Sequence, residues 1–258
     1  MRRLLALGAA GLLAAALHAG CGDDAGVSDG GQGGKPKLVV SAASSMKEAL
    51  TACANNYSAA SLRLQFAGSD ELAAQIRHGV PVDVFAAANT ALPDVLAHEG
   101  KLEQPVTFAS NRLVLAVPAA GAKVGSLDDL DRSGVTLVIG AEGVPVGDYT
   151  RKVLGKLGSQ KSEAVLANVR SNEPDVKGVV GKLTQGAADA GFVYDSDVEA
   201  TGGRLKAIAL PARLDPKATY AAGVVKASRQ RDAAEAFVDD LLAGGCHDAL
   251  LAAGFGEP

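Results

Sequence analysis

From Leu38 onward the chain alternates short apolar runs with amphipathic helical stretches. That alternation confines it to an α/β fold built on mainly parallel sheets. Leu38–Val40, Leu62–Phe66, Val82–Phe85, Leu113–Val117, Val135–Ile139, Ala164–Val169 and Phe192–Tyr194 read as strands. Helical periodicity covers about Met46–Tyr57, Glu71–His78, Tyr149–Leu157, Val176–Gln185 and Ala233–Leu242. No internal repeat interrupts the series.

The residues before Leu38 follow a different pattern. Arg2 and Arg3 precede an apolar run from Leu4 to Leu17, too short for an ordinary membrane span. His18-Ala19-Gly20-Cys21 then places small residues before a cysteine, as in a bacterial lipoprotein signal with Cys21 as the lipid-bearing residue. A plain secretory signal with an incidental cysteine is the other reading, because His18 stands where such signals usually have Leu. Residues 1–21 are therefore expected to be a signal segment and 22–37 a flexible tether. Six Gly and three Asp between Gly22 and Gly34 leave too little apolar surface to fold. The folded part is expected outside the cytoplasm, held to a membrane by its lipid. Cys53 and Cys246 are candidates for a disulfide in that compartment. Two buried free thiols are the alternative, since Cys53 shares a helical face with Met46, Ala49, Leu50 and Tyr57.

Charge and composition exclude several classes of function. The formal net charge is −4, with 25 basic and 29 acidic residues and no basic stripe, so no nucleic-acid partner is expected. Aromatic residues make up 4% and Trp is absent, which leaves few platforms for stacking rings or bases. Past the signal, His78, His98 and His247 are far apart and show no metal-ligand spacing. Ser44-Ser45-Met46-Lys47 contains a Ser-x-x-Lys, but neither Ser-Asp-Asn nor Lys-Thr-Gly follows. An enzyme is not expected, and no cofactor.

Four strand-to-helix junctions carry the chemistry: Ser41–Ser45, Ala67–Asp70, Val144–Asp148 and Asn172–Val176. Ligands of open α/β sheets bind beyond the carboxyl ends of the strands. A helix start there offers unpaired N–H groups and the positive end of the helix dipole, an anion site that needs no charged side chain. Ser and Asp are also ordinary helix caps, so each junction alone is weak evidence.

Taken together and in order, these junctions resemble those of the periplasmic molybdate-binding proteins of ABC importers. The similarity is carried by Val40-Ser41-Ala42-Ala43-Ser44-Ser45-Met46, Phe66-Ala67-Gly68-Ser69 and Gly79-Val80-Pro81-Val82-Asp83-Val84-Phe85. It continues through Asn111-Arg112-Leu113-Val114-Leu115, Val144-Pro145-Val146-Gly147-Asp148-Tyr149 and Gly191-Phe192-Val193-Tyr194-Asp195-Ser196-Asp197, and spans Leu38 to Phe255. The resemblance implies a two-lobed periplasmic-binding-protein fold with the ligand in a cleft between the lobes. Lobe one would comprise 38–117 plus 219–258 and lobe two 118–218, with crossings near Val117 and Ala218. It also implies a monomer that captures molybdate or tungstate and delivers it to an ABC permease.

Carried over position by position, the implied anion-binding residues are Ser45 and Ser69 through hydroxyl and N–H, Val146 and Val176 through backbone N–H, and Tyr194 through its hydroxyl. Val146 stands where the family usually has Ala, and Asp70 and Glu71 follow Ser69 where neutral residues are common. Such acids complement the helix dipole, or else repel a dianion or recruit a cation. The competing functions are a binding protein for another small anion such as sulfate, and a lipoprotein receptor or scaffold without ligand.

Overall fold

The first strand shows why the site forms where it does. In the computed structural model, which describes residues 34–214 and 217–258, β1 (Lys37–Ala43) pairs in parallel with β2 (Ser61–Ala67) on one side and β3 (Val84–Ala87) on the other. Its centre is apolar on both faces, as befits a strand covered from both sides. The register sets Ala43 opposite Ala67, so β1 and β2 end level and the loops that follow lie side by side.

The same sheet continues through β9 (Lys217–Val224), antiparallel to β3, to the first half of β4 (Val106–Pro118). At Arg112–Leu113 β4 changes partners: Val106–Arg112 pairs with β9, and Leu113–Pro118 pairs with β7 (Ala190–Tyr194) and β8 (Leu205–Ala209). Beyond β7 lie β5 (Leu137–Gly140) and β6 (Val169–Glu173), in parallel. The strand order is thus β2-β1-β3-β9-β4-β7-β5-β6, with β8 also on β4. This is the two-lobed periplasmic-binding-protein architecture, one lobe on each half of β4. The parallel pairs are those at the site, while β4 and β9 add antiparallel pairs to both sheets.

Nine α-helices occupy the described residues. α1 (Lys47–Asn56), α2 (Ser69–Arg77), α3 (Ala91–His98), α8 (Arg231–Ala243) and α9 (Gly245–Ala252) belong with the first sheet. α4 (Pro145–Gly155), α5 (Ser159–Leu166), α6 (Val176–Thr184) and α7 (Asp195–Glu199) belong with the second. None is long and apolar enough to cross a membrane. Lys35–Pro258 forms one compact unit. The signal segment, Cys21 and residues 22–33 of the expected tether lie outside the described residues.

One sequence expectation is overturned. Ala164–Val169, read as a strand, is mostly the end of α5, and the strand proper begins at Val169. The apolar run was too short to separate the two periods, and Val169-Arg170-Ser171-Asn172-Glu173 is a polar edge strand. The two cysteine readings are resolved as well: Cys53 of α1 and Cys246 of α9 form a disulfide, with Cα atoms 4.7 Å apart.

Candidate functional site

The helix starts converge. Ser45 lies in a single 3-10 turn (Ser44–Met46) between β1 and α1, and Ser69 is the first residue of α2. Val146 is the second residue of α4, behind Pro145 in the first turn, where a missing N–H costs nothing. Val176 opens α6 behind Asp175, whose carboxylate caps the helix by accepting from the Gly178 N–H at 2.8 Å. Tyr194 ends β7. All five line a single cavity, with Ser44, Gly68, Ala88, Val144, Pro145 and Asp175 among its other walls.

The cavity is tight. About 10 Å3 is open to the centre of a water molecule, about the room that one water needs. A sugar or a peptide does not fit. No Lys, Arg or His is among its lining residues. A ligand here meets hydroxyls, backbone N–H groups and helix dipoles.

The hydroxyls are oriented as donors. Ser69 Oγ accepts from the Ala88 N–H at 3.1 Å, so its own proton is free for the cavity. Tyr194 is 1% exposed, and its hydroxyl has no hydrogen-bond partner among the described residues. Burial, reinforced by Tyr220 and Tyr149, holds its pKa well above the usual phenol value, so the proton stays on. A buried hydroxyl without a partner costs about 1–3 kcal/mol. At the wall of a small cavity, that group is a donor awaiting a ligand. Ser45 Oγ lies 3.0 Å from the Tyr220 hydroxyl, both buried.

Two glycines set close approaches around the site. A Cβ on Gly147 would overlap the carbonyl oxygens of Gly140 and Ala141, so only glycine lets α4 begin directly on the end of β5. A Cβ on Gly68 would overlap the Pro174 carbonyl oxygen across the cleft. An ion pair also spans the cleft: Lys177 Nζ of α6 lies 2.7 Å from Glu48 Oε2 of α1 and 3.0 Å from Asp197 Oδ1 of α7. The other oxygen of Asp197 accepts from the Tyr194 N–H at 3.3 Å.

Asp70 does not line the cavity. Burial raises its pKa, with smaller contributions from Glu71 and Asp148, while its own N–H and that of Glu71 hold its carboxylate at the helix start. One of its oxygens, Oδ1, is buried without a hydrogen-bond partner among the described residues.

Asp197 yields a prediction of its own. Burial raises its pKa from 3.8 to about 6, against the opposing pull of Lys177 and the Tyr194 N–H. Because the folded chain holds this proton more tightly than the unfolded one, the associated stability is complete below about 3.8 and lost as pH rises through about 6. Asp197→Asn removes that dependence. The difference in thermal midpoint between wild type and variant is expected to shift in the variant's favour between pH 4 and pH 7, whatever its offset. A difference independent of pH would contradict the assignment.

Comparison with known proteins agrees with this geometry. The family model for bacterial extracellular solute-binding proteins matches residues 38–256. The chain belongs to this family. Among its solute-binding relatives, the molybdate-binding protein ModA of Mycobacterium tuberculosis is 34% identical over 260 residues, covering 96% of this chain and 97% of that protein. ModA of Escherichia coli is 27% identical over 80% of this chain and 83% of its own. The substrate-binding domain of a putative molybdenum ABC transporter from Clostridium difficile superposes with a TM-score of 0.66 at 30% identity, covering 87% of this chain and all of that one. The periplasmic molybdate-binding protein of Azotobacter vinelandii, at 22% identity, shares the fold with a TM-score of 0.76 over 86% of this chain and 99% of its own.

The sequence reading missed Tyr220 and Asp175 at the site. Asp175 was legible as the capping residue ahead of Val176. Tyr220 lies on β9, whose Ala-Thr-Tyr-Ala-Ala-Gly run carries no clear alternation, and its approach to Ser45 spans 175 residues.

Proposed function

We propose that this solute-binding protein captures molybdate, and tungstate with it, outside the cytoplasm and delivers it to an ABC permease. The observation that carries the reading is the Tyr194 hydroxyl, buried and unpartnered at the wall of a cavity that Ser69 and three other helix starts also face. With the Asp175 carboxylate at the wall engaged in capping α6, these donors fit a ligand that only accepts, which is a fully ionised oxyanion. With neutral donors, selection rests on cavity size and hydrogen-bond geometry. Ser45, Ser69 and Tyr194 would donate through hydroxyls, and Ser45, Ser69, Val146 and Val176 through backbone N–H. The names of the relatives supply molybdate as the anion. Because β4 changes partners at Arg112–Leu113, lobe one is assigned to about 38–112 with 219–258 and lobe two to about 113–218, closing on the anion as a hinge. Cys21 is assigned as the lipid anchor, and the protein acts as a monomeric carrier without catalytic chemistry of its own.

Isothermal titration of the protein from Lys35 onward with molybdate, tungstate, sulfate and phosphate tests the reading. Tight one-to-one binding of the first two, with the others silent, is expected. Heat from sulfate alone would make the protein a carrier of that anion, and silence from all four would leave the fold without this function. Ser45→Ala and Ser69→Ala are each expected to weaken molybdate binding by roughly tenfold to a hundredfold, since a hydrogen bond to an ionised partner contributes roughly 1.5–3 kcal/mol. Unchanged affinity in both would remove these serines from the site.

A further inference from the structure

Tyr220 is fully buried on β9, and its ring lies edge-on to Tyr194, Phe108 and Phe255. A buried phenol normally finds a hydrogen-bond partner, and here that partner is a side chain of the candidate site. Its hydroxyl lies 3.0 Å from Ser45 Oγ, with the Asn111 side chain close enough to oppose the upward shift of its pKa. Asn111 has its carbonyl oxygen taken by the Arg112 N–H at 2.8 Å, and it donates one amide hydrogen to Ser196 Oγ at 2.7 Å. A buried phenol proton needs an acceptor, and Ser45 Oγ is the partner within hydrogen-bond distance among the described residues. Burial keeps the phenol protonated, and its proton then goes to Ser45 Oγ. Ser45, having accepted, has its own proton free to point into the cavity.

We propose that Tyr220 is a positioning residue for the anion, donating to Ser45 so that the Ser45 hydroxyl can act only as a donor to ligand. The proposal rests on the oxyanion reading above. Ser69 reaches the same polarity through a backbone N–H, whereas Ser45 reaches it through the Tyr220 side chain. Tyr220 thus orients a ligand donor from β9, the strand that pairs with the first half of β4, and the aligned run from Tyr220 through Ser45 to the ligand polarises each bond in it.

The test is a double-mutant cycle of Tyr220→Phe and Ser45→Ala, titrated with molybdate, with thermal midpoints measured on the unliganded proteins. Tyr220→Phe keeps the ring and removes only the hydroxyl. It is expected to weaken molybdate binding about tenfold in the wild-type background, to have no further effect in Ser45→Ala, and to leave the unliganded midpoint within a few degrees. Wild-type affinity in Tyr220→Phe would overturn the proposal. So would an equal loss in the Ser45→Ala background, which would place the effect of Tyr220 elsewhere, and so would a large drop in the unliganded midpoint, which would make it a core residue only. Failure of the unmodified protein to bind molybdate would instead remove the functional reading itself, and is read on a separate sample.

Discussion

Gly68→Ala is expected to weaken molybdate binding by up to about a hundredfold while leaving the unliganded protein as stable as wild type. The backbone at Gly68, φ −60° and ψ 139°, is open to any residue, so the substitution adds no conformational strain. The added methyl instead meets two atoms. One is the Pro174 carbonyl oxygen on the facing lobe, and the other is Asp70 Oδ1 at 2.7 Å. The carboxylate can swing aside, but the carbonyl is backbone at the start of α6, which also carries the Val176 donor. Overpacking of this kind costs roughly 1–3 kcal/mol, and under the hinge closure proposed above the Pro174 share of it would fall on the closed arrangement. Open lobes separate the two atoms, so the equilibrium shifts toward the open form and apparent affinity falls with the closed population. Titration calorimetry reads the affinity, and small-angle scattering with saturating molybdate reads the lobe separation. Wild-type affinity in Gly68→Ala would show that the lobes do not need this contact to bind.

The second large effect concerns the Cys53–Cys246 disulfide, which ties the last turn of α1 to the start of α9 across 193 residues of sequence. Its chief action is on the unfolded chain, whose freedom a long closed loop restricts. Removing such a link typically costs about 2–4 kcal/mol. At this size each kcal/mol moves the thermal midpoint by roughly 2–4 °C. The double variant Cys53→Ala, Cys246→Ala is therefore expected to melt roughly 5–15 °C lower than wild type. Reduction of the wild-type protein should do the same. Its molybdate affinity below the transition should stay near wild type, because the bond joins the far end of α1 from Ser45. An unchanged midpoint would mean that the packing of α1 on α9 alone holds the C-terminal helices in place.

These two cases also show where sequence reading reached its limit. The disulfide partners were visible as the two cysteines beyond Cys21, but α1 periodicity suited a buried thiol equally well. The pairing was decided by a helix, α9, that the sequence pattern did not reveal. Gly68 was visible only as part of a loop motif. Nothing local requires glycine there; the requirement comes from Pro174, more than a hundred residues away.

Most strands and helices and the four junctions were legible because helix starts, small loop residues and apolar periods are local properties of the chain, whereas the candidate residues Ser45, Ser69, Val146, Val176 and Tyr194 came with the family resemblance. Strand–helix alternation brought the α/β class with it, and the junction motifs brought the two-lobed family fold. The tertiary structure decided what local chemistry cannot: that the junctions converge on a single cavity, that Ala43 and Ala67 end level so that two serines stand together, and that β9 carries Tyr220 beneath Ser45. Convergence depends on strand register and on contacts between residues far apart in sequence. A one-residue change in pairing would rotate every side chain of a strand to its other face without altering any local pattern.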